Sequence, residues 1–172
     1  LNKQFAQIEF MGTIGQVELS KLRHYSILSP KKTLSYDEMI YMMNVFARVY
    51  PEFTKLEEIG KSVEGRPIVA LRVGNGKKEV LFDAALHARE HMTTNVLMEM
   101  VDTYTHHYYN GTNFGNYNVR QTLDQVSIWF VPMMNPDGVT LVQKGMNGVK
   151  NGALAKSINN GSTNFARWKA NI

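Results

Sequence analysis

The sequence predicts an α/β domain built on a mixed, mostly parallel sheet flanked by helices. Apolar runs at residues 79–86 and 126–132 read as buried strands, with a helical pattern between them. A strand–helix–strand order returns the chain in the same direction, which makes at least some neighbours parallel. Two more strand-like runs, 56–62 and 67–74, enclose the turn sequence Val63-Glu64-Gly65-Arg66 and add an antiparallel hairpin.

The elements follow in chain order. Residues 1–31 show no clear period and form an unassigned N-terminal segment; residues 32–172 form the domain proper. Ser35 and Glu38 have the spacing of a capping box. Met39, Ile40, Met43, Phe46 and Tyr50 then recur at helical intervals, and Pro51 fits the helix end. After the hairpin, residues 74–78 make a second turn, and Val80, Leu81, Phe82, Ala84, Ala85 and Leu86 lead to His87. Residues 93–109 carry Val96, Leu97, Met100, Val101, Tyr104 and Tyr108 at helical period, with Thr93 or Thr94 as N-cap. The Gly- and Asn-rich stretches 110–118 and 145–164 read as loops, and Asn135-Pro136-Asp137-Gly138 as a turn.

Composition narrows the chemistry. The chain has 172 residues and no cysteine, so disulfides, thiolate metal ligands and thiol nucleophiles are excluded. Any metal must be held by His, Asp or Glu. The lack of cysteine fits a cytoplasmic protein, with secretion as the alternative. The apolar runs are too short to span a bilayer, so no membrane partner is expected. The net charge is +4, and Lys144, Lys150, Lys156, Arg167 and Lys169 follow Asp137 with no acidic residue among them. They lack helical charge spacing and interleaved aromatics, so a solvated surface is favoured over nucleic-acid binding.

The chemical signal is His87-Ala88-Arg89-Glu90. A His and a Glu separated by two residues at the end of a buried strand can turn toward one point, and both are natural zinc ligands. The four residues alone favour a satisfied surface His beside a Glu–Arg ion pair over a site. Their place at a strand–helix junction favours a site. His91, His106, His107, His24, Glu64 and Glu99 have no comparable setting.

From Ser35 onward the chain resembles the zinc carboxypeptidases. The resemblance rests on residues 59–68 (Ile-Gly-Lys-Ser-Val-Glu-Gly-Arg-Pro-Ile), His87-Ala88-Arg89-Glu90-His91, Met134-Asn135-Pro136-Asp137-Gly138-Val139 and Arg167-Trp168-Lys169-Ala170-Asn171, in that order. The last of these looks most like the bacterial branch that cleaves γ-D-glutamyl–diaminopimelate bonds.

The resemblance implies a zinc carboxypeptidase-like fold, of which 32–172 is the N-terminal part, incomplete at its C-terminus. It implies a hydrolase using one zinc ion, with His87 and Glu90 as two of three protein ligands. Arg89 would bind substrate, and Lys169 or Arg167 would face the site near Trp168. The third ligand, the general base and an Asn-Arg pair for the substrate carboxylate would follow beyond residue 172, so no complete catalytic set is expected here. The partner is a peptide or peptidoglycan peptide. The alternative is a catalytically incomplete chain with at most weak metal or peptide binding, self-associating through an exposed sheet edge.

Overall fold

The structure, a computed structural model, describes residues 5–10, 13–23, 26–28 and 33–171. The elements are β1 (Phe5–Phe10), β2 (Thr13–Glu18), α1 (Leu19–Leu22), α2 (Tyr36–Val49), β3 (Thr54–Lys61), β4 (Pro67–Val73), β5 (Lys78–Asp83) and α3 (Met92–Asn110). There follow β6 (Asn113–Phe114), β7 (Tyr117–Asn118), α4 (Val119–Leu123), β8 (Val126–Val131), α5 (Pro136–Lys144) and α6 (Gly152–Ile158).

The central sheet has the order β3-β4-β8-β5. It is mixed and flanked by helices, as expected, but parallel pairing is confined to β5 and β8. The β3–β4 hairpin is antiparallel because a tight turn reverses the chain, and β4 meets β8 antiparallel as well. The balance among the described strands is therefore antiparallel rather than mostly parallel.

Register decides which side chains share a face. Leu71, Phe130 and Phe82 lie opposite one another on one face; Arg72, Trp129 and Leu81 lie on the other. The first face carries the core. Met39, Met43, Phe46 and Val49 from α2 and Leu97, Met98 and Val101 from α3 pack with Leu71, Val73 and Phe130. On the second face Ile59 and Leu81 remain exposed. The expectation of a buried strand at 79–86 fails for β5, whose six residues are all exposed. Its place at the sheet edge is the reason: β8 covers only one side. Burial begins just past it, at Ala84 and Ala85.

Local chemistry explains the helix starts. The capping box at Ser35 forms as expected, with Glu38 N–H donating to the Ser35 side chain and Glu38 accepting from the Ser35 N–H. The expected Thr cap on α3 does not form. His91 is the N-cap, and both threonines are used elsewhere: Thr94 Oγ1 donates to Pro132 O and Thr93 Oγ1 to Glu90 O. The turn expected at 135–138 is the start of α5, with Asn135 as N-cap and Pro136 in the first turn. Part of the 145–164 loop is also helical, as α6.

The buried Asp102 on α3 ties the N-terminal segment to this core. Its carboxylate accepts from Ile27 N at 2.9 Å, from Leu28 N at 3.2 Å and from the Ser26 hydroxyl. Leu28 is itself a core residue, so chain that precedes residue 32 is bound into the domain. Three donors converge on one carboxylate in a site closed to water. Asp102→Ala should therefore lower stability by about 3 kcal/mol, read as a lower urea midpoint at unchanged slope.

Candidate metal centre

β5 and β8 end side by side at Asp83 and Val131. The crevice beyond the carboxyl ends of parallel strands is where α/β sheets present reactive groups. The pairing continues irregularly past the strands: Ala84 N–H donates to Val131 O, Met134 N–H to Ala84 O and Asn135 N–H to Ala85 O. Ala85 has φ 50°, in the left-handed region that costs an L-residue roughly 1–2 kcal/mol. Two bonds hold it there, because its N–H also donates to Thr93 Oγ1 at 2.9 Å. This kink ends the strand and delivers His87 to the surface.

His87 and Glu90 then meet. His87 Nδ1 lies 2.9 Å from Glu90 Oε2, and their side chains are 48% and 44% exposed. A single 3-10 turn, Ala88–Glu90, brings them together. The hydrogen bond from His87 is the main cause holding the Glu90 carboxyl below its ordinary range, and the charges of His87, Lys169 and Arg89 add to it against desolvation. Arg89 Nε stands 3.9 Å from Glu90 Oε1, beside the pair rather than bound to it.

The donor set fits a divalent metal. An imidazole nitrogen and a carboxylate oxygen converge, open to solvent on one side. Two ligands of a tetrahedral zinc with bonds of about 2.0–2.2 Å stand roughly 3.4 Å apart, so the pair need open by only about half an ångström. Among the described residues no third His, Asp or Glu joins them.

The segment carrying the basic residues docks against this turn. Ala88 N–H donates to Lys169 O at 3.1 Å, and Lys169 acts on Glu90 through its charge. Arg167 is exposed, and no ion pair or hydrogen bond links it to His87 or Glu90 among the described residues. His106 and His107 sit at the far end of α3, beside Asn110 and Thr112. His24 lies outside the described residues. Of the basic residues that follow Asp137, Lys144 pairs with Asp37 and Lys150 donates to Glu64 O.

Behind the site lies a buried ion cluster that the linear sequence does not reveal. Asp137 accepts from Ser62 Oγ, from Glu64 N–H and from Arg66. Arg66 also bonds Glu64 at 2.8 Å and Gly148 O, and Glu64 accepts from Asn151 N–H. The Glu64 and Asp137 side chains are 1% and 3% exposed. The only signal in the sequence is an acid and a base within a hairpin turn; their partner Asp137 is 71 residues from Arg66.

The chain is similar to known proteins. The zinc carboxypeptidase family pattern matches residues 39–170. Gamma-D-glutamyl-L-diamino acid endopeptidase 1 of Lysinibacillus sphaericus is 32% identical over 151 residues, 86% of this chain and 37% of that protein. A zinc carboxypeptidase of Saccharothrix mutabilis is 32% identical over 111 residues, 61% of this chain and 24% of that protein. The chain thus spans about a third of the length of its curated relatives. Among solved structures, bovine thrombin-activatable fibrinolysis inhibitor superposes with a TM-score of 0.60 at 22% identity, covering 83% of this chain and 38% of that one. Carboxypeptidase A of Helicoverpa armigera superposes at 0.53 with 27% identity, covering 67% and 28%.

The ion cluster yields a direct test. Arg66→Met leaves two buried carboxylates without their cation and should cost about 3–5 kcal/mol in urea denaturation.

Proposed function

The chain belongs to the zinc carboxypeptidase family, and from that premise we propose that its protein is a zinc-dependent peptidase in which His87 and Glu90 are metal ligands. The observation that carries the reading is the 2.9 Å approach of His87 Nδ1 to Glu90 Oε2 at the carboxyl ends of two parallel strands. When bound, zinc supplies a Lewis acid and a water acidified toward neutrality.

The chain's own residues prepare for that chemistry. The Ala85 kink and the 3-10 turn fix both ligands before metal arrives, so little ordering remains for binding to accomplish. Arg89 offers a guanidinium beside the pair, suited to a carboxylate or to a polarised carbonyl. Lys169 brings a second cation to the same edge, where negative charge develops during acyl transfer.

The substrate class proposed is a γ-D-glutamyl–diamino acid peptide, as found in cell-wall peptides. It is supported by the relative of that name, which matches most of this chain, and by lysine rather than arginine after Trp168. A second reading, metal or peptide binding without turnover, is supported by the two-donor set found among the described residues.

Zinc titration followed by calorimetry tests the assignment. One site is expected, lost in His87→Ala and weakened at least about tenfold in Glu90→Gln. A parent chain that ignores zinc, or variants that bind as the parent does, overturns it. Hydrolysis of a γ-D-glutamyl–diamino acid dipeptide, set against an α-linked peptide, separates the two readings.

A further inference from the structure

We propose that Asn135 is a positioning residue: its side-chain amide sets the spacing between Lys169 and the His87–Glu90 pair. The inference deepens the reading above and rests on it for its functional meaning.

Asn135 is 3% exposed. Its Oδ1 accepts from Gly138 N–H at 2.9 Å and caps α5. Its Nδ2 donates to Ala170 O at 3.2 Å and reaches Leu86 O at 3.5 Å. Leu86 immediately precedes His87, and Ala170 immediately follows Lys169. One planar amide therefore spans the two segments that form the site. Among the described residues one backbone bond runs between them, from Ala88 N–H to Lys169 O. Ala170 O takes a second donor, Trp168 Nε1 at 2.8 Å, so the 168–170 stretch is held on both sides.

Gly138 makes room for this bridge. A Cβ there would stand 2.6 Å from Asn135 Nδ2, 2.7 Å from Oδ1 and 2.8 Å from Ala170 O. Its φ is not left-handed, so space, not backbone conformation, calls for glycine. Only asparagine among the good helix caps offers an acceptor to the helix and a donor to the carbonyls from one rigid group. Aspartate would keep the cap and turn an oxygen toward two carbonyl oxygens. Serine would keep the cap and reach neither.

The test separates capping from bridging. Amide exchange by NMR is followed at Ala88, whose acceptor is Lys169 O, with Met134 and Val139 as reporters of the strand end and of α5. In Asn135→Asp the Ala88 amide should exchange at least about tenfold faster while Met134 and Val139 stay within about threefold of the parent. Asn135→Ser should do the same without added charge, and stands in if the aspartate variant does not fold. Unchanged Ala88 exchange in the folded variants overturns the proposal. So does equal acceleration of all three amides, which marks a purely structural cap. The exchange data need no metal, so failure of the zinc titration on the parent chain would overturn the metal reading and leave the bridge itself decided by exchange.

Discussion

The fold turns on two carboxylates, Glu64 and Asp137, that are buried and must be neutralised. Burying an ionised carboxylate without partners costs several kcal/mol, and Arg66 is the cation that answers both. To do so the β3–β4 turn has to lie against the first turn of α5, and the 148–151 stretch has to close over them. Three separate parts of the chain are thereby fixed in one arrangement. Asp137 serves twice, because a negative charge in the first turn of α5 also complements the helix dipole.

That arrangement holds the site in place from behind. Asp137 stands two residues after Asn135, so the cluster that anchors α5 also anchors the amide that touches Leu86 O and Ala170 O. On the other side, Thr93 grips both Ala85 N–H and Glu90 O. The His87–Glu90 turn is held between these clamps. The left-handed Ala85 is sustained by its surroundings, as strained positions beside functional groups commonly are. The result is a His–Glu pair placed at the surface yet supported by buried contacts.

The sheet shows where contacts are lacking. β5 lies at an edge with apolar side chains in the open, and the face carrying Ile59, Leu81 and Trp129 has no helix on it among the described residues. Core and site are therefore built from one face and one end of the sheet. The apolar side chains that pack there, from Leu28 to Val139, form a single cluster.

Much of this was legible along the chain. Short-range rules fixed α2, because a capping box and a helical stripe need only neighbours within a turn or two. The hairpin, α3, β8 and the His87–Glu90 pair were legible for the same reason. Asn135-Pro136-Asp137-Gly138 suits both a turn and a capped helix start; the bonds of Asn135 and Asp137 to distant partners select the helix. The Gly- and Asn-rich flanks of α6 obscure a short run whose stability comes from Ala155 packing with Leu141 and Phe165. The exposure of β5 depends on strand order, and an apolar run cannot encode which neighbour stands beside it. The sequence by itself determined the local elements, the two donors and their family. Only the tertiary structure decided that Arg66 meets Asp137, that Asn135 joins Leu86 to Ala170, and that the Lys169 carbonyl meets Ala88, because those contacts depend on the closing of long loops, which local residue preference does not specify.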